Sequence, residues 1–248
     1  MTIVESVACR LLPFITASGA WQMAADEVML EAAATSGVAS FRVYAWTTAT
    51  LTLGYFQPGA SRLTDPLLAQ LPYVRRSTGG AALVHDREVT YSLALPAGTP
   101  WQTHRVSWVC RMHTILRDVF AGFGVTTRLV EEERKRHDVL CFLHETPGDL
   151  LLGEAKIVGS AQRKMRGALL QHGGILLAQS RHTPALPGVA ELTGVTIAMP
   201  AFLEALHDQL GRATGWRLEA AAWTEMERRR IEQIAAEKYA ATKWNDKR

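Results

Sequence analysis

The sequence predicts an α+β fold in a single domain, with helices packed on a mixed or largely antiparallel sheet, and three observations carry that expectation. Apolar residues recur at helical spacing near the start and through the last third. The middle holds short β-branched and aromatic runs of strand length. No repeat of fixed period occurs and no Pro/Gly/Ser linker marks a second domain, which argues against a solenoid. With 48% hydrophobic and 21% charged residues in 248, the chain supports a sizeable core without disulfides or metals. The domain is expected to cover residues 1–248, with a helical segment over about 222–248.

Taken in order, Ser18 and Gly19 precede a helix face made by Trp21, Ala24, Ala25, Val28, Met29 and Ala32, and Gly37 stops it. Residues 41–46 and 50–56 read as paired strands, the second ending at the Gln57-Pro58-Gly59 turn. Val89, Tyr91, Leu93 and Leu95 alternate with polar or small residues, a strand running up to Pro96. A second amphipathic helix carries Val106, Val109, Cys110, Leu116 and Phe120 before Gly122 and Gly124. Runs of strand length return at 125–130, 139–143, 150–152, 156–158 and 169–177. Gly153-Glu154 between two of them predicts a hairpin that presents Lys156 near its turn. Phe202, Leu203, Leu206 and Leu210 form one helical stripe, and the charged segment 224–239 turns Ile231, Ile234 and Ala235 inward.

Lys and Arg number 27 against 24 Asp and Glu, a net charge of +3, too mild to announce a nucleic-acid or membrane surface. No stretch of 18 uncharged apolar residues occurs, and Glu5 and Arg10 interrupt the N-terminus, so the expected location is cytoplasmic, away from membrane. Three widely separated cysteines, Cys9, Cys110 and Cys141, fit neither a disulfide framework nor a metal site.

Chemistry-bearing residues concentrate in two segments. Arg75, Arg76, Thr78, Gly79, Gly80 and His85 lie just before the strand that runs up to Pro96. Consecutive glycines admit a ligand close to backbone, and arginine offers a planar fork to phosphate or carboxylate. On its own this is equally a glycine turn beside solvated arginines. In the second segment Lys156 precedes a turn of small residues, Gly159, Ser160 and Ala161, which leaves room for a ligand's chain. A half-buried lysine there serves as proton acceptor or as a charge facing an oxyanion. Gln171-His172-Gly173-Gly174 reads as the neighbouring strand, again with close approach at the glycines, while His172 alone would be structural.

Together the motifs are more specific. Arg42-Val43-Tyr44-Ala45-Trp46, Leu53-Gly54-Tyr55-Phe56-Gln57, Arg76-Ser77-Thr78-Gly79-Gly80 with His85-Asp86, and Gly159-Ser160-Ala161-Gln162-Arg163 with Gln171-His172-Gly173 resemble the biotin/lipoate protein ligase superfamily. The similarity is to its lipoate-ligase and octanoyltransferase branch, and it extends to Glu237-Lys238-Tyr239 and Trp244-Asn245. The resemblance implies an α+β catalytic domain in which the Arg75 to Gly80 turn lines an acyl pocket and Lys156 contacts the activated acyl group. Ala81 departs from the third glycine or arginine often found there. The Gly-Arg-Gly-Arg type turn of biotin ligases is absent.

The branch holds two reactions. A ligase must activate a free carboxylate with ATP, whereas a transferase receives a carrier thioester already activated and needs a nucleophile, for which cysteine is suited. In the octanoyltransferases of this branch a cysteine followed by phenylalanine stands at the separation from the lysine seen here, where Cys141-Phe142 lies fifteen positions before Lys156. The resemblance therefore implies Cys141 as nucleophile and Lys156 as the group that activates it and takes its proton. Packing of a small buried thiol is the competing explanation for Cys141, and it suffices for Cys9 and Cys110. The expected reaction moves octanoyl from octanoyl-acyl carrier protein to a lysine of a lipoyl carrier domain, such as glycine cleavage H protein or a dehydrogenase E2, without a cofactor. The alternatives are an ATP- and Mg-dependent lipoate-protein ligase, an amidotransferase between lipoyl-carrying proteins, and a binding-only relative. The accessory C-terminal domain of many ligases is not expected beyond Trp244.

Overall fold

A computed structural model describes residues 7–102, 106–134 and 139–247, so Glu5 lies outside the described residues. Strands β1 (Ala8–Leu11) and β2 (Ile15–Ala17) lead into helix α1 (Gly19–Thr35), followed by β3 (Ser40–Trp46), β4 (Thr50–Leu53), the short α2 (Pro66–Ala69), β5 (Tyr73–Arg75), β6 (Leu83–His85) and β7 (Val89–Leu95). Next come α3 (Trp108–Gly122), β8 (Arg128–Leu129), β9 (Leu150–Leu152), β10 (Ala155–Met165) and β11 (Ala168–Ile175). The chain closes with α4 (Val189–Thr193), α5 (Met199–Thr214), β12 (Arg217–Ala220), α6 (Glu225–Ile234) and α7 (Thr242–Asn245). The large sheet runs β12-β1-β3-β7-β11-β10-β9-β8, with β2 beside β3, and a smaller sheet runs β5-β4-β6. Pairing is parallel from β12 to β3 and antiparallel from β3 to β8, the mixed arrangement expected of an α+β chain.

Helix α1 starts where Ser18 Oγ accepts the Trp21 amide, and its alanines let it lie close to the sheet, against Tyr44, Ala94 and Leu170. On the other sheet face α3 and α5 close over Phe41, Tyr91 and Leu93, with the Phe120 and Phe202 rings 6.1 Å apart. The alternation of β7 has a different meaning from an exposed polar face. All seven residues are buried, and Thr90 and Ser92 face polar partners under α1.

Several elements differ from expectation. Residues 41–46 and 50–56 are not paired with each other, because Thr47 donates its amide to the Ala17 carbonyl and the chain bends out, leaving β4 as the central strand of the small sheet. Of 125–130 only Arg128–Leu129 pairs. In 139–143 a single bridge from Leu140 to Ala82 gives way to a 3₁₀ turn over Cys141–Leu143, so Cys141 sits on a turn rather than a strand. Gly159, Ser160 and Ala161 lie inside β10, not in a turn. The second helix begins only at Trp108, capped by Ser107, with Val106 exposed outside it. Strands β1, β2 and β12 had no sequence signal, being three or four residues long and partly charged. The hairpin of β9 and β10 forms as expected, with Lys156 opposite Leu151.

Within the small sheet, the end of β4 and the turn between β5 and β6 meet at a glycine pair. Gly80 has φ +90°, and its carbonyl lies where a β-carbon on Gly54 would stand. Gly54→Ala is expected to displace the glycine turn and cost about 1–3 kcal/mol, read by chemical denaturation. An unchanged midpoint would show that the turn adapts.

Candidate active site

The small sheet, β7, β10, β11 and the 141–143 turn line a cleft of about 470 Å³, the open solvent at its mouth included. Cys141, Arg76, Gly80, His85, Gly159, Ser160, Ala161 and His172 line it, as do Ala81, Leu83 and Phe142. Lys156 stands just behind the wall. It is 5% exposed, and its Nζ donates to the Cys141 carbonyl (3.3 Å) and the His144 carbonyl (3.0 Å) and lies 3.9 Å from Cys141 Sγ. Its counter-ion, which the sequence did not single out, is Asp149, whose Oδ2 is 2.6 Å from Nζ and also accepts from the Thr146 amide and hydroxyl, 2.8 Å each. The signal was there in Pro147-Gly148-Asp149, a turn that starts the strand paired with Lys156.

Arg76 wraps the glycine turn. Nη2 donates to the Gly79 and Ala81 carbonyls (2.7 and 2.8 Å), Nε to Thr78 Oγ1 (3.0 Å) and Nη1 to Thr52 Oγ1 (3.4 Å). Each threonine meets a histidine held by a carboxylate. Thr78 Oγ1 is 2.7 Å from His172 Nε2, and His172 Nδ1 is 2.7 Å from Asp26; Thr52 Oγ1 is 3.0 Å from His85 Nε2, and His85 Nδ1 is 2.6 Å from Glu88. Burial pulls the Arg76 guanidinium below its ordinary value, opposed by its electrostatic interaction with Cys141. Burial likewise lowers His85, against Glu88, while its ring stacks on Trp46 at 3.9 Å. At Asp26 burial would raise the carboxyl, but Arg42, His172 and Ser92 together outweigh it and hold it at about 2.

Some expected ligand-binding residues are placed elsewhere. Arg75 is fully buried away from the cleft, donating from Nη1 to the Gly54 and Gln57 carbonyls and from Nε to the Asn245 carbonyl, so it anchors the C-terminal helix. Thr78 acts through Arg76 and His172 rather than on the cleft wall. Gly79 faces the Phe56 ring, 3.9 Å from where its β-carbon would be. The glycines leave less room for a ligand than expected: a β-carbon on Gly159 would meet Lys156 Cε at 2.6 Å, and one on Gly174 would meet Leu83 Cδ2 at 2.7 Å.

A further histidine went unnoticed in the sequence. His113, on the apolar stripe of α3, donates from Nδ1 to the Gly148 carbonyl (2.6 Å) and places Nε2 2.5 Å from Ser160 Oγ. Burial above all lowers it from 6.5 to about 4, with the Gly148 carbonyl and Asp149 opposing. Among the described residues no group of three or more His, Cys, Asp or Glu converges as for a metal ion, and no helix is long and apolar enough to cross a membrane.

Because the folded protein binds its His113 proton more weakly than the unfolded chain, the stability tied to this group is full above pH 6.5 and is lost as pH falls toward about 4. The loss is on the order of 3 kcal/mol at 1.36 kcal/mol per unit. Denaturation titrated across that window should show His113→Gln with a slope lower by about one proton than the native protein; parallel slopes would mean that His113 titrates normally.

A lipoyl protein ligase A/B catalytic domain model matches residues 18–185. Octanoyltransferase LipM of Kyrpidia tusciae is 32% identical, covering 95% of this chain and 97% of its own, and octanoyltransferase LipM of Halalkalibacterium halodurans is 28% identical over 91% and 94%. A T. acidophilum protein solved with bound lipoic acid superposes with a TM-score of 0.80 at 20% identity, covering 97% of this chain and 99% of that one, a likeness of fold. An ATP-bound lipoate-protein ligase A superposes with a TM-score of 0.76 at 20% identity over 97% and 98%. The family match over residues 18–185 and the 32% identity along nearly the whole chain show that the chain belongs to the lipoyl protein ligase A/B catalytic domain family.

Proposed function

We propose that the protein is an octanoyltransferase of protein lipoylation, carrying octanoyl from acyl carrier protein through a thioester on Cys141 to a lysine of a lipoyl carrier domain. The observation that carries this reading is the Asp149–Lys156 ion pair, buried with its ammonium 3.9 Å from the Cys141 sulfur at the edge of the cleft. The relatives named octanoyltransferase support it across most of the chain. A 2.6 Å salt bridge favours Lys156 as a cation, so its role is to hold the negative charge of the thiolate and of the addition intermediate rather than to take a proton.

Cys141 gives its proton to solvent, its thiolate adds to the carrier thioester carbonyl, the carbon–sulfur bond to the carrier breaks, and the departing carrier thiolate takes a proton back from solvent. The acceptor amine then adds to the Cys141 thioester; the carbon–nitrogen bond forms, the bond to Cys141 breaks, and the amine proton ends on the sulfur. Arg76, fixed on the same wall, is a second cation for the oxyanion. No step needs ATP, because the donor is already activated. ATP and magnesium belong to the ligase alternative.

Intact-mass measurement after mixing with octanoyl carrier protein and no ATP should show one added octanoyl group, removable by hydroxylamine and absent in Cys141→Ala. Activity with free lipoate, ATP and magnesium alone, equal in native and Cys141→Ala protein, would make it a ligase.

Lys156→Ala and Asp149→Asn are expected to slow acylation, the former by about 10²–10³. Partial recovery of Lys156→Ala at high pH, where the thiol ionises unaided, separates thiolate stabilisation from acyl binding, which predicts a uniform loss.

A further inference from the structure

We propose that Met23, on the sheet-facing side of α1, is the stop that sets how long an acyl chain the cleft accepts. The inference rests on the octanoyl-transfer reading and adds the residue that selects the donor by its length.

The strand registers define the floor of the cleft. Gly159 pairs with Gly174, Gly174 with Thr90 and Thr90 with Tyr44, one row across β10, β11, β7 and β3 that shares a sheet face, and all four residues line the cleft. The next row on that face is Ala161, His172, Ser92 and Arg42, and Asp26 of α1 bonds to the last three. The helix therefore lies over β7. Gly19, Met23 and Asp26 form its sheet-facing stripe, since a β-carbon on Gly19 would stand 3.1 Å from Trp46 Cζ3, one row beyond Tyr44. Met23 falls between these two fixed points. Three helical residues advance about 4.5 Å and two strand residues about 6.7 Å, and helical side chains lean toward the N-terminus, so Met23 stands over the row of Thr90 rather than that of Ser92. It is 3% exposed and lines the cleft.

The reacting sulfur is at the other end of the row. Lys156 Nζ lies 3.9 Å from Cys141 Sγ, and Lys156 Cε lies 2.6 Å from where a β-carbon on Gly159 would stand, which puts Cys141 at the β10 end. From β10 to β7 is two strand spacings, about 10 Å. An extended octanoyl chain, with bonds of about 1.5 Å in zigzag, reaches about 9 Å. Along the way Leu83 and Phe142 stand over Gly174 and give the passage an apolar side. At the far end the polar side chains are bonded to one another: Thr90 Oγ1 takes the Trp46 Nε1 proton and donates to Glu88, and the Tyr44 hydroxyl donates to Asp26. That end suits a methyl group. Methionine is unbranched and fills the position by its length, so shortening it opens the cleft toward α1.

The test is an internal competition. Native protein, Met23→Ala and Met23→Phe are each mixed with equal amounts of hexanoyl, octanoyl, decanoyl and dodecanoyl carrier protein, and the acyl groups on Cys141 are read early in the reaction by intact mass. The ratio within one sample does not depend on how much of a variant folds. Native protein should take octanoyl first. In Met23→Ala the decanoyl-to-octanoyl ratio should rise about tenfold, the effect of two further buried methylenes. In Met23→Phe the hexanoyl-to-octanoyl ratio should rise instead. Ratios in Met23→Ala equal to those of the native protein, with or without a uniform loss of rate, overturn the proposal and leave the transferase reading intact, as does native protein that takes all four lengths equally. A native protein that none of the four donors acylates overturns both.

Discussion

Arg42 is buried at the interface of α1 with the large sheet, 1% exposed, and Asp26 meets it there at 2.5 Å. A charge in that position needs its partner, and Gln22 adds two acceptors, its side-chain and main-chain oxygens, while Arg42 Nε is buried without a hydrogen-bond partner among the described residues. Asp26 does more than neutralise. Its second oxygen fixes His172, His172 fixes the Thr78 hydroxyl, and Thr78 takes the Nε proton of Arg76. The helix is thus connected to the cleft wall by hydrogen bonds, each satisfied only if the previous one is.

A second line, Glu88 to His85 to Thr52, reaches the same guanidinium from the other side. Among the described residues no carboxylate pairs with Arg76, which is held in one orientation by the backbone carbonyls of Gly79 and Ala81 that take its outer hydrogens. A carboxylate there would cancel the charge. Carbonyl dipoles anchor the group while leaving the positive field on the cleft, which suits a site where negative charge develops.

The fold class was legible because α1, α5 and β7 carry their periodicity in four to six apolar positions each, and Gly153-Glu154 marks the turn between the two short runs of the β9–β10 hairpin. Cys141, Lys156 and most of the glycine-turn residues were legible through motifs. What escaped was set by tertiary packing. Asp149 and His113 look ordinary in sequence and gain their meaning only when a turn and a helix bring them to Lys156 and Ser160. Arg75 misled in the opposite direction, since adjacent arginines on a strand point to opposite sides and only Arg76 reaches the cleft.

The glycines make the same point about space. Small residues at 159, 173 and 174 suggested a passage for a ligand, yet side chains of the protein itself lie against all of these positions: Lys156 at Gly159, Tyr91 with Ser160 at Gly173, and Leu83 at Gly174. A side chain at 159 would push the Lys156 ammonium off Asp149, and one at 173 would break the Tyr91–Ser160 bond. Their absence therefore serves the machinery behind the wall first and the occupant of the cleft second. In this site the wall is thin because two charged or polar groups must stand immediately behind it, close enough to act on the cleft without filling it.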